Sequence, residues 1–67
     1  MSEMDDVIKR FKACQESCRQ RQDELLSLAK EAAEKGNETL YHRLESMIHR
    51  EIAEDTRLQE RIDHYQQ

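Results

Sequence analysis

The chain has 67 residues, of which 36% are hydrophobic and 39% charged, with no tryptophan and a formal net charge of −4. A chain this short is one domain at most, and below roughly 70–80 residues a core rarely supplies more than ~3–5 kcal/mol without staples, metal or association. The acidic balance argues against a general nucleic-acid binder and against an anionic membrane surface, and no stretch approaches the ~20 apolar residues of a membrane span.

The first residues, Met1-Ser2-Glu3-Met4-Asp5-Asp6, are acidic and match neither a signal peptide nor a transit peptide. A cytoplasmic protein is expected, with Cys14 and Cys18 as reduced thiols. Ser2 is a helix N-cap candidate, with Asp5 three residues on and acidic side chains in the first turn. The spacing predicts a helix over about residues 3–35. Its apolar stripe is read as Met4, Val7, Phe11, Cys14, Cys18, Arg21, Leu25, Leu28 and Ala32, alternating by three and four residues, with Arg21 the only interruption. Asp5 to Lys9, Asp6 to Arg10 and Glu31 to Lys35 support it as acid-first i,i+4 pairs.

Gly36 is the only glycine, and the chain has no proline. Lys35-Gly36-Asn37 is therefore the one strong turn signal, with Gly36 suited to the left-handed position after a helix end. Asn37 caps a second helix over about residues 38–65, with Glu38 in its first turn. The second stripe is read as Tyr41, Leu44, Ile48, Ile52, Asp55, Leu58, Ile62 and Tyr65, widened at its start by Leu40 and Met47. Here Asp55 interrupts.

Folding at Gly36 gives an all-α, two-helix antiparallel coiled-coil hairpin occupying the whole of residues 1–67. It sets Leu25 near Ile48, Phe11 near Ile62, and the Cys18–Arg21 region near Ile52 and Asp55. Two readings follow for the seam breakers. Arg21 and Asp55, with or without Glu51, form a polar layer that fixes register, or both side chains reach out to solvent. Each helix of about 30 residues is ~45 Å long, so two helices meet over one narrow stripe. Ile8, Ala13, Leu26, Ala29, Ala33, Leu40 and Met47 are expected outside it, as a second apolar edge. Dimerisation into a four-helix bundle would cover that edge, and so would a groove on a partner protein.

Other patterns read as structural. Cys14 and Cys18 lack a second pair of ligands and fit core positions. His42, Glu45 and His49 share a face but lack a supporting shell, so no metal or other cofactor is expected. Arg43, Arg50 and Arg57 recur every seven residues, with Arg61 beyond, but Glu51, Glu54, Glu60 and Asp63 interleave with them as on a salt-bridged exposed face. A basic footprint for RNA or DNA is more segregated than this. No phosphate loop or nucleophile motif appears, so no enzyme and no small-molecule substrate are expected.

The stretch Leu25 to Tyr41, LLSLAKEAAEKGNETLY, resembles the middle of the small co-chaperones of bacterial type III secretion needle subunits. Gly36, Tyr41, Leu25, Leu28 and Lys30 carry the resemblance. It implies a cytosolic heterodimer with a helical-repeat chaperone that holds an aggregation-prone needle subunit. The sequence thus points to a non-enzymatic helical interaction module, a small chaperone or adaptor. A self-dimerising four-helix-bundle regulator, with or without RNA or DNA binding, is the alternative. The expected contact residues are Phe11, Leu25, Leu26, Leu28, Tyr41, Leu44, Met47, Ile48 and Ile52.

Overall fold

The computed structural model describes residues 2–67. Two helices, α1 (Glu3–Glu34) and α2 (Glu38–Gln66), pack against each other as a hairpin measuring 51 × 15 × 11 Å. Both starts are capped by short polar side chains. The Ser2 hydroxyl accepts from the Asp5 backbone N–H at 3.3 Å, and the Asn37 side-chain carbonyl accepts from the Leu40 N–H at 3.1 Å. Each cap satisfies one of the donors that a helix start leaves open.

The turn is compact because one bond pattern closes it. Asn37 N–H donates to the Ala32 carbonyl at 2.9 Å and Gly36 N–H to the Ala33 carbonyl at 3.1 Å, the paired bonds of a Schellman motif. The motif needs a left-handed residue after the helix, and Gly36 supplies it at φ +71°. Asn37 serves both helices at once, since its N–H ends α1 and its side chain starts α2.

Packing selects a seam that differs from the sequence expectation in α1. The buried or partly buried residues of α1 are Val7, Ile8, Phe11, Gln15, Cys18, Gln22, Leu25, Ala29 and Ala32. Val7, Phe11, Cys18, Leu25 and Ala32 stand where expected. Met4, Cys14, Arg21 and Leu28 do not: they are exposed, and the adjacent Gln15, Gln22 and Ala29 take the places of the last three. Ile8 and Ala29, expected outside the stripe, are partly buried and buried. In α2 the seam is Tyr41, Leu44, Ile48, Glu51, Asp55, Leu58 and Ile62, with Ile52 exposed and its neighbour Glu51 turned inward. The physical reason is that a step of three and a step of four fit the same repeat, so adjacent residues compete for one seam position. Facing side chains then decide. Near the turn, Ala29 and Ala32 pack with Leu44 and Ile48, flanked by Leu25 and Tyr41, and small residues on one helix accommodate large ones on the other.

The open end closes differently. Leu58 and Ile62 are buried there, and the Phe11 and Tyr65 rings stack at 5.8 Å between centroids, within the range of favourable aromatic pairs. Gln15, itself buried, donates from its side-chain amide to Gln59 at 2.8 Å, and Gln59 donates on to Asp63 at 2.9 Å.

Candidate docking surface

The middle of the hairpin is polar, with an arrangement other than a direct Arg21–Asp55 pair. Arg21 Nε meets Glu51 Oε1 at 2.9 Å, while Asp55 Oδ2 meets Arg19 Nε at 3.6 Å. The two arginines reach in from opposite flanks because they are two residues apart on α1, and the carboxylates are four apart on α2. Both arginine side chains remain more than half exposed. The seam side chain at this level is Gln22. Its Nε2, Glu51 Oε2 and Asp55 Oδ1 are buried without a partner among the described residues, and each such atom costs about 1–3 kcal/mol. This level is a weak joint between two apolar ends.

Cys18 sits inside this joint, 1% exposed. Burial pushes its thiol up from the ordinary value, and the Glu51 carboxylate adds to the rise. Glu51 moves the other way: its hydrogen bond from Arg21 holds its carboxyl below the ordinary value. Cys14, one turn before Cys18, is exposed, and both cysteines are free thiols.

The turn half carries a large apolar surplus. Leu28, Leu40 and Met47 are 49%, 44% and 47% exposed. They belong to one flank. Leu28, Leu40 and Leu44 line a groove with Glu31 and Lys35, and Leu25, Leu28 and Met47 continue it with Glu24, Arg21 and Arg50. The Leu28 side chain is common to both stretches, so this is one continuous shallow trough. On the opposite flank Leu26, Ala33 and Tyr41 form a second trough with Lys30, Glu45 and His49. Ile52, seven residues after Glu45, extends that edge by a heptad.

The expected contact residues therefore fall into two groups. Leu25, Tyr41, Leu44 and Ile48 hold the two helices together, and Phe11 closes the open end with Tyr65. Leu26, Leu28, Met47 and Ile52 are exposed on the flanks. The sequence reading sets Leu26 and Met47 at the outer edge but does not separate Leu28 and Ile52 from the seam residues.

Polar candidates are dispersed. His42 Nδ1 lies 4.0 Å from Glu45, and no cluster of His, Cys, Asp or Glu able to hold a metal ion is found among the described residues. Arg57 pairs with Glu54 at 3.4 Å on its own helix. No helix among the described residues is long and apolar enough to cross a membrane. No family model, curated protein or solved structure matches the chain.

Proposed function

We propose that this chain is a non-enzymatic helical interaction module, a small chaperone or adaptor that docks the flank of its turn half onto another helical surface. The observation that carries this reading is the exposed row Leu28, Leu40 and Met47 along one trough. Monomeric proteins seldom leave a contiguous apolar strip unpartnered on so small a surface. Helix-in-groove recognition uses anchors at this spacing. The co-chaperone role implied by the resemblance of Leu25–Tyr41 is one form of the proposal, with a helical-repeat protein against the trough. A cytoplasmic setting belongs to it too, because the exposed, unpaired Cys14 suits a reducing compartment.

Site-specific photo-cross-linking in the native cell tests it. A photoreactive residue at Met47 is expected to give a discrete adduct, and one at the exposed, polar Gln20 is expected to give none. Adducts at neither position, or equally at both, would overturn the reading. The size of the adduct separates a second copy of the chain from a different protein.

A further inference from the structure

Resting on that reading, we propose that the occupant of the Leu28–Met47 trough is a second copy of this chain, stacked face to face with both turns at the same end. The charges bordering the trough carry the inference. Glu24 and Glu31 are seven residues apart and edge it on the α1 side; Arg50 edges it on the α2 side, and Arg43, a heptad earlier, continues that edge toward the turn. Arg21 and Lys35 line the same trough at the two ends of its α1 edge, Lys35 paired with Glu31 at 2.8 Å; between them the α1 rim is acidic and the α2 rim basic.

A two-fold axis parallel to the long axis of the hairpin lays α1 of each copy on α2 of the other. Every neighbouring pair of helices is then antiparallel, as in an up-down-up-down four-helix bundle. Levels match as well as signs. The Arg19–Asp55 and Gln15–Gln59 contacts set the register within a chain, and in that register Glu24 is level with Arg50, and Glu31 with Arg43 one heptad nearer the turn. In the stacked pair each acid of one copy faces an arginine of the other, twice over by symmetry. At the next level the signs reverse together, with Arg21 on α1 and Glu54 on α2, and the match persists.

A two-fold axis perpendicular to the rod sets α1 on α1 and brings acid against acid, which costs stability. Toward the open ends Arg10 and Arg61 occupy the corresponding rims, so like charges meet there and the contact is confined to the turn halves. Leu28, Leu40 and Met47 from both copies then form the missing core of a chain whose own core is thin.

The test uses two full-length variants. Glu24→Arg/Glu31→Arg makes both rims basic, and Arg43→Glu/Arg50→Glu makes both rims acidic. By sedimentation equilibrium, the wild-type chain is expected at twice its 8.1 kDa. Each variant alone is expected to associate at least about tenfold more weakly, and a one-to-one mixture to recover the two-chain mass and the wild-type helicity. A variant that is unfolded alone is still informative, since mixing must restore its helicity. A mixture that stays single-chain, or a wild-type chain that is monomeric throughout, would overturn the second-copy proposal. If the Met47 cross-link then runs to a different protein, the interaction-module reading stands without it; if no cross-link forms, both fall.

Discussion

The two ends of the hairpin are stabilised in different ways. At the turn, Ala29 and Ala32 pack with Leu44 and Ile48, under a Schellman turn that ties both helices together. At the open end, Leu58 and Ile62 are buried beside a Phe11–Tyr65 stack and a hydrogen-bonded glutamine pair. The turn half exposes three leucines and a methionine, Leu26, Leu28, Leu40 and Met47, while the open half exposes Met4 and Tyr65 beside Ile8 in a groove edged by Asp5, Lys9 and Lys12. Between them lies the level of Gln22, Glu51 and Asp55, where three buried polar atoms lack partners. The comparison teaches that both halves hold the helices together, and that the turn half exposes the larger apolar surface in doing so.

Adjacent isoleucines on α2 give the largest contrast. Ile48 is 9% exposed and Ile52 46%. Ile48→Ala is expected to cost about 2–5 kcal/mol, as for other buried large-to-small changes. Ile52→Ala is expected to stay within about 0.5 kcal/mol, as surface changes do. Chemical denaturation of both variants measures the difference. Equal losses would mean that α2 is rotated from the orientation described. Ile48→Asp is the severe form of the same test, and it is expected to abolish folding and assembly together.

The joint between the halves responds in the opposite direction. Gln22→Leu removes one partnerless buried amide and joins the two apolar regions, so a gain of about 1–3 kcal/mol is expected. A loss on thermal unfolding would show that the amide is satisfied in solution and that the joint is not weak.

Acid sharpens the comparison with a smaller effect. The Glu51 carboxyl is held below its ordinary value of 4.5, first by its hydrogen bond from Arg21. Glu31, at the turn, is lowered by Lys35 in the same way. A lowered carboxyl contributes stability that is complete above its unfolded value and is lost as pH falls through its folded value. Melting temperature is therefore expected to decline as pH drops below 4.5. Arg21→Met is expected to flatten part of that decline, because Glu51 then keeps only the smaller lowering from Cys18 against burial, which raises a carboxyl. An acid limb unchanged in Arg21→Met would contradict the ion pair.

The hairpin itself is legible in the sequence. A lone glycine, two polar caps and two long periodic patterns point to two antiparallel helices joined at Gly36, and the structure adds that they close within one chain. Half of the α1 seam is not legible, for a definite reason. At 14 and 15, 21 and 22, and 28 and 29, neighbouring residues fit the same repeat, and the sequence offers the more apolar one or the charged one as bait. Leu28 looks like core, yet Ala29 is the residue that lets α2 approach. Gln15 and Gln22 carry no apolar signal at all and are recognisable only once Gln59 and the Glu51–Asp55 level lie opposite. The same ambiguity at Glu51 and Ile52 places a carboxylate inward and an isoleucine out. The outward position of Leu26 and Met47 follows from the stripe, because each lies beside it rather than in it. The charged rims had a readable signal in the heptad spacing of Arg43, Arg50 and Arg57. What turns that row into a rim is the trough beside it, which exists only after folding.

The most direct measurement is thermal unfolding, followed by circular dichroism across a dilution series, of the wild-type chain beside Leu28→Glu/Met47→Glu. Both substituted residues are exposed in the hairpin, so the variant retains its helices. The account predicts that the wild-type melting temperature rises with concentration, as for a folded state that includes association. The variant is predicted to melt lower and at a temperature independent of concentration. Identical, concentration-independent melting of the two chains would contradict the central claim that the turn half is a contact surface for a second copy.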